Sequence, residues 1–182
     1  MKNKEWVDKY LVPLGACDSG IDKANEYDDP QSAWDDWDNA AELFWTIERT
    51  YCDERLLRLC ACDIAEHVLH IFEKKYPDDN RPRRVIETSR RYANGDATQE
   101  ELDAVRSEAR AAANSASNSA RAAANAAADA ASSAAYAADA AADAAVDAAD
   151  AAADSSAEKK CQADCVRKYF PVSPFVDGNE NG

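Results

Sequence analysis

Apolar positions in the middle of this chain recur at the three-to-four-residue spacing of a helix. Trp34, Trp37, Ala41, Phe44 and Trp45 fall on one face, and Ser32 is placed to cap a helix running to about Thr50. A second helix is predicted from Asp53 to about Lys75, where Leu56, Leu57, Cys60, Ile64, Val68, Ile71 and Phe72 form a wide apolar stripe suited to a core position. Tyr76-Pro77-Asp78-Asp79-Asn80 reads as a loop. Pro82 then suits the first position of another helix, continued by Val85, Ile86 and Ser89, and Gly95 suits the residue just past its end. Thr98 with Glu101 three residues on forms a capping box before Leu102 and Val105. Ahead of all these, residues 1–30 read as a short helix or turn around Trp6 and Tyr10, followed by loop; Pro13, Gly15, Gly20 and Pro30 punctuate it.

The second half follows another rhythm. Nearly all of residues 109–153 is Ala, with Asp, Asn, Ser and a few Arg, in an 11-residue repeat that opens with Arg110 and Arg121. The polar positions, from Arg110 to Asp154, recur about every 3.7 residues, so one polar stripe runs along an otherwise Ala-faced rod. As a single helix, residues 98–169 would be on the order of 105 Å long, far beyond the radius of gyration of about 16 Å expected for a domain of this size. The rod must therefore fold back or pair with a second copy as a homodimer. Fold-back near Asn114–Ser119 or Ser132-Ser133 is favoured, because these clusters are the weakest helix formers in the segment. Three regions are expected: 1–97, helical, acidic and aromatic-rich; 98–170, the Ala-rich region packed on it; and 171–182, a flexible tail. With few Gly and Pro and almost no β-branched alternation, the fold class is all-α, a helical bundle with a long Ala-rich helix or helical hairpin in the C-terminal half.

Composition narrows the function. The 182 residues carry 21 basic and 35 acidic side chains, a formal charge of −14. Residues 1–80 hold 19 of the acidic groups and 9 of the basic ones. Such a chain is repelled by nucleic-acid phosphates and attracted to basic proteins. No stretch is long and apolar enough to span a membrane, and Met1 to Tyr10 lacks the apolar core of a secretory signal. Six cysteines without an export signal are read as reduced thiols in a cytoplasmic protein.

Several clusters are candidates for chemistry. Asp63, His67 and His70 lie close to one helical face, as a metal site would require, but no further His surrounds them and a water-facing edge of a core helix is the preferred reading. Cys161 and Cys165 share a face and could form a redox pair; packed free thiols are preferred. Arg81, Arg83, Arg84, Arg90 and Arg91 could bind an anion, or pair internally with carboxylates, which is preferred. No phosphate-binding glycine loop, HExxH or GxSxG is present, so no enzyme, cofactor or metal site is expected. Two acidic features remain as partner-binding candidates: Asp35, Asp36 and Asp38 beside Trp34 and Trp37, and the ladder Asp139, Asp143, Asp147, Asp150 and Asp154. The first suits an aromatic anchor ringed by charge, or core tryptophans with the Asp side chains in a helix's first turn; the second would set carboxylates at roughly 6 Å intervals against a basic surface, or form a solvated face that keeps the Ala rod soluble.

The stretches LGACDSG (14–20), LCACDIAEHVL (59–69) and RPRRVIE (81–87), then Gly95, the Ala-rich rod and QADCVRKYFP (162–171), occur in an order that resembles the class-five immunity proteins of bacterial polymorphic-toxin systems, a group also carried by phages. The resemblance covers roughly residues 14–171 and implies an all-helical protein that neutralises a toxin by binding it. It supplies no catalytic residues. The expected function is thus a protein-binding inhibitor that neutralises a basic effector stoichiometrically. The alternative is a phage-encoded inhibitor of host defence, an anti-CRISPR or DNA mimic that fills a nucleic-acid-binding groove.

Overall fold

Asp53 accepts a hydrogen bond from the Leu56 amide and opens α4 (Glu54–Lys75), the helix on which much of the bundle assembles. In the computed structural model, residues 4–50, 53–116, 118–130 and 155–176 are described. Before α4 come a π-helical turn at Val7–Leu11, α1 (Asp18–Ala24), α2 (Pro30–Asp36) and α3 (Ala40–Thr50). After it come α5 (Arg81–Ala93), α6 (Gln99–Ser115), α7 (Asn118–Ala130) and α8 (Ser155–Tyr169). The protein is all-α, with no strand among the described residues. None of its described helices is long and apolar enough to cross a membrane.

One expected helix is two. Asp29, rather than Ser32, caps α2, taking the Gln31 and Ser32 amides at 2.9 Å. The helix stops at Asp36, because Trp37 is extended (φ −67°, ψ 126°). Asn39 then accepts the Ala41 amide at 3.1 Å as α3 begins. Asp38 and Asn39 are residues whose side chains compete for backbone donors and favour such breaks. Elsewhere the boundaries follow local chemistry. Pro82 is the second residue of α5, not the first. The helix closes on Gly95 (φ +82°), with the Asp96 amide on the Arg91 carbonyl at 2.8 Å and the Gly95 amide on the Tyr92 carbonyl at 3.0 Å. Thr98 and Glu101 exchange both bonds of the capping box that starts α6.

The Ala-rich chain reverses within the chain. Ala116 is extended (φ −93°, ψ 162°), ending α6, and α7 starts two residues later and packs back along it. Arg110 and Asp129, both on the polar stripe, meet across this hairpin at 2.6 Å. Ala120, Ala123, Ala124, Ala126, Ala127 and Ala130 of α7 share the main core with Leu57, Cys60, Ile64 and Val68 of α4, and Ala163, Val166 and Phe170 of α8 join them. A second cluster (Val85, Leu102, Val105, Ala109) seals α5 to α6. A third gathers Val7, Leu11, Ala24 and Phe175. Residues 171–176 pack against the N-terminal elements. Phe175 stacks on Tyr10 at 5.3 Å, and the Ser173 amide donates to Gln31 Oε1 at 2.8 Å, because an apolar ring so near the last helix finds a place to be buried.

The α5 arginines pair internally. Arg83 chelates Glu73 (2.6 and 2.8 Å), Arg84 reaches Glu108 (2.8 Å), Arg81 holds Asp79, and Arg90 bridges Asp63 (2.8 Å) and Glu66 (2.6 Å). Asp63 also accepts from Lys168 and Tyr169 of α8, each at 2.8 Å, so one carboxylate ties α4 to α5 and α8. Burial alone would raise its pKa, but the bonds from Lys168, Arg90 and Tyr169 outweigh that and hold it below the usual carboxylate range. A lowered folded-state pKa stabilises the protein above the unfolded value near 4 and loses that contribution as pH falls through the folded one. Asp63→Asn should therefore destabilise the protein at pH 7 and flatten its loss of stability between about pH 5 and pH 3, as read from urea midpoints across that range. Thr98→Ala, which removes one capping bond, should cost about 1 kcal/mol in the same assay.

Candidate functional site

All four tryptophans line one half-open apolar cavity of about 380 Å³. The turn at Val7–Leu11 contributes Leu11, with Trp6 just before it. The α2–α3 segment contributes Trp34, Trp37, Leu43 and Trp45, and the docked residues after α8 contribute Phe175. Trp34 is buried, and its indole N–H donates to the Phe170 carbonyl at 2.9 Å, anchoring α2 to the end of α8. Trp37 and Trp45 are half-buried. The Trp37 indole donates to Glu42 at 2.6 Å, and the Lys23 ammonium lies 4.5 Å from its ring centroid. Arg49 lies 4.5 Å from the ring of Trp45.

The break after α2 gives the cavity its wall, and Arg167 holds that break in place. Its guanidinium donates to the Trp34 carbonyl at 2.8 Å and to the Trp37 carbonyl, satisfying acceptors that the helix end leaves open. A cation here also offsets Asp35 and Asp36, which sit at the C-terminal end of α2 where the helix dipole disfavours negative charge.

Asp35, Asp36 and Asp38 are all exposed beside this cavity, but their charges differ in availability. Asp38 pairs with Lys23 at 2.6 Å, and that bond lowers its pKa. Asp35 accepts from the neutral Gln31 amide and Asp36 from the neutral Tyr27 hydroxyl, both at 2.8 Å, so neither charge is cancelled by these bonds. The Tyr27 phenol responds: partial burial and then Asp36 push its pKa up to about 12. The arrangement can grip an apolar or aromatic side chain in the cavity while Asp35 and Asp36 attract cationic neighbours. Asp139, Asp143, Asp147, Asp150 and Asp154 lie outside the described residues.

Sequence pattern alone missed Trp6, Glu42, Phe175 and Arg167 as parts of this site. Trp6 and Phe175 are 169 positions apart, and no periodicity links them. The other clusters are occupied structurally. Asp63 is held by Arg90, Lys168 and Tyr169; His67 Nδ1 faces the buried Glu158 at 2.8 Å; and His70 Nδ1 faces the His67 carbonyl at 3.0 Å. Among the described residues, no group of three or more His, Cys, Asp or Glu is arranged to hold a metal ion.

A family model described as Imm-5 like putative immunity protein matches residues 50–170. Searches of curated proteins and of solved structures find no match. Every residue lining the tryptophan cavity lies outside the matched span. Arg167→Ala should leave the carbonyls at the end of α2 open and loosen the cavity wall. The expected readout is a red shift of tryptophan emission and a stability loss of about 1–3 kcal/mol; an unchanged spectrum would show that the wall stands without it.

Proposed function

From the premise that this chain belongs to the Imm-5-like immunity proteins, we propose that it is an inhibitor that binds and neutralises a basic toxin stoichiometrically in the cytoplasm, with no bond-making of its own. The observation that carries this reading is the open tryptophan cavity flanked by Asp35 and Asp36, whose side chains are exposed and bonded to neutral donors. Asp38, partly neutralised by Lys23, is the weaker member of the same face. The arginines of α5 turn inward onto α4 and α6 carboxylates, whereas residues 1–50 carry 12 acidic and 5 basic side chains. The field of the described chain is thus concentrated on the side that holds the cavity. The helices of the family segment act as scaffold, and the N-terminal face fits the particular toxin. Asp139, Asp143, Asp147, Asp150 and Asp154, which recur at helical spacing in the sequence, belong to the same proposal as further acidic contacts for the partner.

Electrostatic attraction acts mainly on the encounter rate and is screened over about 10 Å at 0.1 M salt and about 3 Å at 1 M. The test titrates this chain against candidate basic toxin domains. A one-to-one complex is expected, with an association rate that falls at least about tenfold between low and high salt. Asp35→Lys with Asp36→Lys should reduce that rate further, and Trp37→Ala should act mainly on dissociation. An affinity indifferent to salt and to the double charge reversal would remove the reading.

A further inference from the structure

The interface between α4 and α8 places two thiols against each other. Cys60 Sγ and Cys165 Sγ are 3.9 Å apart, although 105 positions separate them in the chain. We propose that this pair is an oxidation site, which a two-electron oxidant of the peroxide class converts into a disulfide tying α8 to α4.

The selection of these two among the chain's cysteines is geometric. Cys62 faces the Ile86 carbonyl of α5 at 3.9 Å, not α8. Cys161, one turn before Cys165, is exposed, and its sulfur lies 3.6 Å from His67 Nε2. Cys17 sits in a different part of the fold, 3.3 Å from the Ser19 hydroxyl. Among the described cysteines, only Cys60 and Cys165 present sulfur to sulfur across two packed helices. Closing the gap to the roughly 2.05 Å of a disulfide needs about 2 Å of relative movement by the two sulfurs.

Exposure assigns the roles. Cys60 is fully buried, whereas Cys165 is half-buried and is the sulfur an oxidant reaches. The Cys60 thiol, as hydrogen-bond partner, lowers the Cys165 pKa against the opposing effect of burial, with help from Lys168 and Arg90; burial pushes Cys60 up. Cys165 is therefore the attacking thiolate. Its sulfur takes one peroxide oxygen as the O–O bond breaks, and the other oxygen leaves as water once protonated, giving a sulfenic acid. The Cys60 sulfur then displaces that oxygen, which leaves as a second water carrying the proton that Cys60 gives up. In sum, two thiols and one peroxide become one disulfide and two waters.

The cross-link would close a loop of about a hundred residues and lock in place the helix that carries Arg167 and leads into Phe170, both of which hold α2. It follows from the helix interface and needs no toxin.

The test treats the full reduced chain with one equivalent of hydrogen peroxide, blocks remaining thiols with an alkylating reagent and maps tryptic peptides. The expected result is a cross-link between segments 59–74 and 161–167. Cys62→Ser and Cys161→Ser should keep it; Cys60→Ser and Cys165→Ser should each lose it. The thermal midpoint of the oxidised wild type should rise by about 10 °C and return on reduction with dithiothreitol. A cross-link confined to segment 161–167, one that depends on Cys161, or an unmoved midpoint in the cross-linked protein would overturn the proposal. Because each of these peptides holds two cysteines, retention of the cross-link in the Cys62→Ser and Cys161→Ser variants decides the pairing even if Cys60→Ser does not fold.

Discussion

An alanine face must find a partner that comes close. One methyl group buries little surface, so a helix lined by alanine gains its packing from the short distance at which its backbone can approach a neighbour. In this protein α7 meets that constraint through α4, whose Leu57, Ile64 and Val68 supply the bulk that α7 lacks. The rest of the arrangement follows from this contact. The reversal at Ala116 exists so that the Ala-rich chain can lie on the N-terminal helices, and α8 covers another part of the same core.

Charge is divided along the same line. Where helices pack, carboxylates are matched by cations: Asp63 by Arg90 and Lys168, Glu73 by Arg83, Glu108 by Arg84, Asp129 by Arg110. Most of these pairs are partly exposed and each contributes modestly, but together they absorb the basic residues of α5. The excess of negative charge is left on the α1–α3 side, around a cavity formed by tryptophans. The described part of the chain thus carries a directed field. In the function proposed above, that field speeds encounter with a basic partner and the cavity supplies specificity.

Much of the fold was legible because it is set by neighbours in the chain. The capping box of Thr98 and Glu101, the left-handed Gly95, the cap at Asp53 and the apolar stripe of α4 each involve residues a few positions apart. The internal use of the arginine cluster was likewise readable from the supply of carboxylates. The single helix expected from Ser32 to Thr50 misled for a local reason too: the aromatic spacing continues across Trp37-Asp38-Asn39 although the backbone does not. Periodicity reports which residues share a face and is blind to a break that preserves the face.

What the sequence determined by itself was the helical class, the limits of α4 and α5, the start of α6, the acidity and the family, all of which depend on composition and short-range pattern; α1, where loop was expected, was not among them. What the tertiary structure alone decided was the assembly of the site. Trp6, Trp34, Trp37, Trp45 and Phe175 come from three separate stretches, and Arg167 secures the end of a helix that lies 130 residues before it. The same holds for Cys60 and Cys165. Such meetings depend on how helices cross and which faces they bury, and that is fixed by the packing of the whole core rather than by any one segment.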